Sequence, residues 1–229
     1  MTTTISPSRM ADFDLTSEQQ AVRRAVREFA EREILPHVES HERENRYPEG
    51  LIKKLIPLGY LTPVIPEQYG GASTDVVTYG VICEELARVD WVVASVVSVT
   101  NSLVGSSIVR FGTEAQKDRW LPAICDGSVL TSACLTEPSG GSDLAGLQTR
   151  AIKTDGGWRL EGSKGFISHA AHAGVMLVAA TVDASKRHQG VTVFLVEPNA
   201  HGVEITGLPM RTLKRDNLAA IHFDGTVVG

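Results

Sequence analysis

Apolar residues in the first half of the chain recur at the three-and-four spacing of helices. In the second half they gather in short β-branched runs separated by turn residues. Thr16-Ser17-Glu18-Gln19 has the form of a capping box, in which a Thr hydroxyl and a Gln side chain three places on exchange hydrogen bonds with orphan amides. Val22, Val26, Phe29 and Ala30 follow at helical spacing, and Pro36 is expected to stop the run. A second helix is expected from Pro48, with Leu51, Ile52 and Leu55 on one side and Pro57 and Gly59 ending it. Residues 62–73, with two prolines and Gly70-Gly71, read as a loop. Apolar helices are expected over residues 76–89 and 92–111. A second capping box, Thr113-Glu114-Ala115-Gln116, opens a short helix running to Asp126-Gly127.

From Val129 the period changes. Strands are expected over residues 129–135, 149–154, 158–161, 165–168, 175–182 and 191–196, with a last one over 217–228 centred on 219–223. Asp155-Gly156-Gly157 between two of these runs signals a hairpin. The expected class is therefore α+β: an N-terminal all-α helical domain over residues 1–128, then a small antiparallel β-barrel or sandwich domain over 129–229.

Composition narrows the function classes. The formal net charge is −5, and the densest cationic stretch is Arg211, Lys214 and Arg215. It reads as a short solvated turn or an anion contact, so a nucleic-acid partner is not expected. Cys83, Cys125 and Cys134 are scattered and odd in number, which fits a reducing compartment without disulfides. Residues 1–11 lack an apolar signal core, and the apolar stretch 91–99 is too short for a bilayer, so a cytoplasmic location without membrane insertion is expected. His169 and His172 are three apart with no third ligand in view, and no metal is expected. Trp91 and Trp120 read as helix-packing residues.

Candidate chemistry concentrates in residues 130–151. Pro138 forces a strand to exit, and Ser139-Gly140-Gly141-Ser142 then offers adjacent backbone amides with little steric cover. Such amides form a concave anion site, and glycines let a phosphate approach closely. A plain flexible connection between strands has the same composition, and both readings stand at this level. Phe166 in a strand reads equally as a core residue, and Ser168 as a strand-end hydroxyl. Glu137, before a proline and beside the turn, reads as a loop anchor; no catalytic residue is assigned.

Thr136-Glu137-Pro138-Ser139-Gly140-Gly141-Ser142-Asp143 resembles the TEP-x-x-GSD signature of acyl-CoA dehydrogenases. The segments at 59–71, Glu84-Glu85-Leu86-Ala87-Arg88, 111–122 and 160–168 resemble further family segments in family order. The resemblance implies an FAD-dependent flavoprotein that removes two hydrogens from an acyl-CoA thioester. By position it assigns Leu135 and Thr136 to the pyrimidine edge of the flavin and Gly141 and Ser142 to the pyrophosphate. It places Phe166 against the ring and Ser168 near its reactive nitrogen. A flavin is an aromatic plane with hydrogen-bonding rims, which suits one stacking face and several fixed polar contacts. The family further implies homo- or hetero-oligomers and an electron-transfer flavoprotein as electron acceptor.

Several positions depart from the family pattern. Ala133 stands where many members carry an aromatic, and His169 where Asn is frequent. Residues 211–217 replace a Gly- and Ser-containing turn. The family's closing helical bundle, which carries the base for the α-proton, has no counterpart in these residues. The expected function is thus an acyl-CoA dehydrogenase lacking its base. A partner-dependent, non-catalytic relative and a flavin-dependent monooxygenase of the same superfamily are the alternatives. Helices apolar on more than one side further predict an exposed apolar patch.

Overall fold

The computed structural model describes residues 14–212 and 214–229. The polar stretch 1–11 lies outside them. Helices occupy the first part: α1 (Ser17–Phe29), α2 (Leu35–Arg43), α3 (Glu49–Leu55), α4 (Val76–Ala87), α5 (Trp91–Ser98), α6 (Ser106–Phe111) and α7 (Glu114–Cys125). Both capping boxes form, with the Gln19 amide donating to Thr16 Oγ1 at 3.2 Å and the Gln116 amide to Thr113 Oγ1 at 3.3 Å. Asp75 and Asp90 cap α4 and α5 in the same manner.

Pro36 does not stop the first helix. A wide π segment, Ala30–Ile34, links α1 to α2, and Pro36 falls in the first turn of α2. Proline lacks an N–H and crowds the carbonyl four residues back, and a wider turn relieves both. Pro48 is the N-cap of α3 rather than its first residue. Residues Trp91–Phe111 form one continuous helical rod, α5, a π segment Val99–Gly105 and α6, longer than the apolar stretch read from the sequence. By length and apolarity alone it resembles a membrane span. Here it serves as a core helix, with Val92, Val93, Val96, Val97, Val104 and Ile108 buried. Asn101 explains the π turn. Its Nδ2 donates to the Val97 and Leu61 carbonyls at 2.7 and 2.8 Å, and its Oδ1 accepts from the Val64 amide at 3.3 Å. The helix widens to admit an amide that also anchors the loop before α4.

Strands follow: β1 (Thr131–Cys134), β2 (Arg150–Thr154), β3 (Gly157–Ile167), β4 (Val175–Thr181), β5 (Val191–Val196), β6 (Val203–Gly207) and β7 (Ala219–Val228). They form one curled sheet in the order β1-β4-β2-β3-β7-β6, with β5 on β4. The α-then-β architecture is as expected, but the sheet is mixed rather than antiparallel, because β1 and β2 both run parallel to β4. The β2–β3 excursion supplies the long crossover that parallel neighbours require. Strand β4 is buried at every position, which suits a central strand with parallel neighbours. The hairpin at Asp155-Gly156 forms, pairing Thr154 with Gly157. The two short runs expected at 158–161 and 165–168 are one strand, and β6 was not foreseen.

Two register shifts shape the β3–β7 pair. At the second, three steps along β3, from Lys164 to Ile167, match two along β7, from Ile221 to Ala219. One extra residue therefore bulges from β3 next to Phe166. Helices and sheet meet in an apolar cluster that includes Ile65, Val104, Ile108, Leu121 and Ile124 with Val175 and Leu177 of β4.

Two surface expectations change. Arg215 is buried rather than solvated, donating to both Asp90 oxygens at 2.9 and 3.2 Å and to Glu42 at 2.6 Å. Trp120 is buried, but Trp91 is 38% exposed. At the ends of the two apolar helices, Phe111 is 75% and Val76 74% exposed.

Leu86 is fully enclosed and Phe111 is not, and their truncations separate cleanly. Leu86→Ala is expected to cost about 2–5 kcal/mol, the range for a fully buried leucine. Phe111→Ala should stay within about 0.5 kcal/mol. Urea denaturation followed by circular dichroism checks both.

Candidate functional site

Strand β1 delivers Leu135 and Thr136, both half-buried, to the surface. The Thr136 carbonyl accepts from the Gly165 amide at 3.0 Å, so the exit of β1 is stitched to the end of β3. Glu137 and Gly140 then exchange backbone hydrogen bonds at 3.0 Å each, closing a tight turn over Pro138 and Ser139. Residues 138–144 are exposed. Gly140 and Gly141 have no positive φ, so their backbone conformation does not require glycine. A Cβ on Gly140 would meet nothing within 4 Å, and one on Gly141 would touch only the Thr136 side chain at 3.4 Å. What the two glycines leave is uncovered backbone, open to close approach.

The turn hangs on a buried ion pair. Lys164 is completely enclosed and Glu137 nearly so, with Lys164 Nζ 2.9 Å from Glu137 Oε1 and 3.3 Å from the Leu135 carbonyl. Glu137 also accepts from the amides of Gln148 at 2.6 Å and Thr149 at 2.9 Å. One carboxylate therefore clamps both ends of the exposed loop. Burial alone would raise the Glu137 pKa. The hydrogen bonds from Thr149, Gln148 and Lys164 outweigh it and hold the carboxyl below its ordinary value. Burial lowers the Lys164 pKa while Glu137 opposes the shift. The neighbouring Cys134 thiol is pushed up to about 12 by burial and stays neutral. Glu137 is thus an anchor with both oxygens engaged.

Phe166 stands on the β3 bulge, 63% exposed, with φ of 57°. A bulky residue in left-handed backbone is an outlier, and an exposed aromatic gains nothing from the core. Ser168 is half-buried, and its carbonyl accepts from Ser132 Oγ at 2.7 Å, a second stitch between β1 and the end of β3. The six residues singled out from the sequence, Leu135, Thr136, Gly141, Ser142, Phe166 and Ser168, thus lie on two segments joined side by side. The core reading of Phe166 does not hold.

Several structural contributors were not legible. In the sequence Lys164 is only one residue of the family-like segment 160–168, with no role assigned. His169 is left-handed, with φ of 63°, and is 1% exposed. Its Nδ1 lies 3.3 Å from Tyr47 Oη and its Nε2 3.0 Å from Ser95 Oγ. His172 instead stacks on Tyr47 at 3.7 Å between centroids and meets Asn217 Nδ2 at 2.9 Å. Among the described residues, no group of three or more His, Cys, Asp or Glu side chains is placed to hold a metal ion.

Two family descriptions match: acyl-CoA dehydrogenase, N-terminal domain, over residues 16–128, and acyl-CoA dehydrogenase, middle domain, over residues 132–226. This chain belongs to the acyl-CoA dehydrogenase family. An acyl-CoA dehydrogenase of Bacillus subtilis is 38% identical over 191 residues, 83% of this chain and 50% of its own length. The butyryl-CoA dehydrogenase structure from Megasphaera elsdenii superposes with a TM-score of 0.86 at 34% identity, covering 94% of this chain and 58% of that one. A glutaryl-CoA dehydrogenase from Mycobacterium smegmatis, solved in complex with FADH2, gives 0.85 at 32%, covering 93% and 54%. The chain spans about half the length of the relatives it matches.

In this acyl-CoA dehydrogenase-family chain, the Glu137 clamp makes a stability prediction with a sign. A carboxyl whose folded pKa is depressed stabilises fully above its unfolded pKa and loses that contribution as pH falls through the folded value. Glu137→Gln leaves Lys164 buried without its counter-ion and is expected to cost about 3–5 kcal/mol at pH 7. The deficit should shrink as pH drops below about 4, where the native carboxyl protonates in the unfolded and then the folded chain. Chemical denaturation of both proteins at pH 7 and at about pH 3 measures it.

Proposed function

We propose that this chain binds FAD and forms the flavin-side wall of an acyl-CoA dehydrogenase acting on acyl-CoA thioesters. The observation that carries the reading is Phe166: a solvent-facing aromatic in strained backbone, beside a turn whose glycines leave backbone amides uncovered. Strain of this kind persists where surrounding structure imposes it, and it clusters at ligand sites. A ring that stacks on Phe166 and a diphosphate that takes the amides of Gly141 and Ser142 would use both features. The relative solved with FADH2 supports the same choice of cofactor.

In this reading each residue has one task. Phe166 supplies the apolar stacking face. The backbone of Leu135 and Thr136 and the Thr136 hydroxyl orient the polar edge of the ring system. The turn amides and Ser142 Oγ hold negative charge, and the Ser168 hydroxyl offers a polar contact at the strand end. Bound flavin would supply the hydride acceptor for α,β-dehydrogenation. Glu137 is not a candidate for the α-proton base, because Lys164, Gln148 and Thr149 occupy its oxygens. The resemblance assigns that base to the helical bundle of longer relatives. An electron-transfer flavoprotein is the proposed acceptor.

Titrating FAD with the purified chain, followed by flavin fluorescence and visible absorbance, tests the reading. Saturable binding is expected. Phe166→Ala should weaken it about tenfold, the order of one aromatic contact. Thermal stability should not fall, because the ring is exposed. Absence of binding by the unsubstituted chain, or a Phe166→Ala chain that binds unchanged, would overturn it.

A further inference from the structure

His169 directly follows the segment that presents Phe166 and Ser168, and it ties that segment to the helical half of the molecule. Its left-handed backbone, φ 63°, is one that asparagine, aspartate and histidine adopt more readily than other residues with a side chain. The imidazole uses its size to reach two hydroxyls on separate elements: Tyr47, just before α3, and Ser95 in the middle of α5. A neutral imidazole carries one donor and one acceptor, and each hydroxyl can serve as either, so one tautomer satisfies both contacts. The ring is enclosed, and burial, with a smaller push from His172, brings its pKa down to about 4. It therefore stays neutral through the physiological range. The groups around it include the Tyr47 and Ser95 hydroxyls and His172, with Glu49 acting on His172.

Among the described residues, the attachments of this strand end include, besides the pairing of Ile167 with Ala219 of β7, three side contacts. The Gly165 amide is held by the Thr136 carbonyl, the Ser168 carbonyl by Ser132, and the His169 ring by Tyr47 and Ser95. The first two join the strand end only to β1 and its exit. The third joins it to the helices and fixes the rotation of the backbone at the residue after Ser168. Between the Gly165 and Ser168 attachments lies the bulge on which Phe166 adopts its strained conformation.

We infer that His169 is a positioning residue for the flavin site: by bridging Tyr47 and Ser95 it sets the angle at which Phe166 and Ser168 are presented. The inference rests on the flavin-binding reading given above, since it assigns the presented surface to that ligand.

Three variants of the full chain test it: His169→Ala, His169→Asn and Ser95→Ala. The first removes ring and bridge, the second keeps a residue suited to left-handed backbone, and the third removes one hydrogen bond and leaves the histidine in place. His169→Ala is expected to weaken FAD binding about tenfold, and Ser95→Ala severalfold, the scale of buried hydrogen bonds. Both should shift the visible band of bound flavin, a signature that loss of stability alone does not produce. His169→Asn should regain thermal stability relative to His169→Ala without regaining affinity. Amide hydrogen exchange at Ile167 and Ser168 should quicken in all three, while β4 amides remain protected.

Wild-type affinity and an unshifted spectrum in both His169→Asn and Ser95→Ala would overturn the inference and leave the flavin reading intact. Failure of the unsubstituted chain to bind FAD would overturn the flavin reading. The inference then falls if exchange at Ile167 and Ser168 is unchanged, and its positioning element stands if exchange quickens. Should His169→Ala not fold, Ser95→Ala carries the same comparison.

Discussion

The pairing of Glu137 with Lys164 is the constraint on which the candidate site depends. Each ion alone would be costly to enclose, and the pair is tolerated because the carboxylate also takes two backbone amides while the ammonium takes a backbone carbonyl. The partners come from the exit of β1, the start of β2 and the middle of β3, so one interaction fixes three segments in relation to one another. Residues 138–144 can then project into solvent while the ends of the loop stay fixed. An exposed, glycine-rich turn that would otherwise sample many conformations keeps a defined base, and a ligand need not bear the full cost of ordering it.

A second set of buried polar contacts joins the helices to the sheet. Arg215, carried on the connection between β6 and β7, reaches Asp90, which also caps α5, and Glu42 near the end of α2. Thr100 in the π turn meets Thr131 of β1 at 3.1 Å, and His169 bridges to Tyr47 and Ser95. Hydrogen bonds at such a junction are directional where apolar packing is not, so they select one docking angle. The apolar cluster around Ile65, Trp120 and Val175 supplies adhesion and the polar bridges supply register.

Much of the local structure was legible. The two capping boxes and the Asp155-Gly156 turn are written within a few residues, and each formed where its pattern stands. The motif order marks the acyl-CoA dehydrogenase family, which the family matches over residues 16–128 and 132–226 bear out. Misreadings arose where a local rule met a distant partner. Pro36 satisfies every local condition for ending a helix, yet a π turn absorbs it. Arg215 sits in a polar, cation-rich stretch that reads as solvated, but its partner Asp90 lies 125 positions away. Phe166 has the composition of a core residue, and only the extra residue in β3 turns it outward.

The sequence by itself determined most of the segments that are helix or strand, β6 excepted, and that a glycine-rich turn follows the first strand. Those properties depend on side-chain spacing and on backbone preferences within a few residues. Tertiary structure alone decided the parallel pairing of β1 and β2 with β4, the enclosure of Lys164 and Arg215 with their carboxylates, and the strained exposure of Phe166. Each of these requires groups far apart in the chain to meet in a space that excludes water, and neither composition nor period encodes where such a space will be.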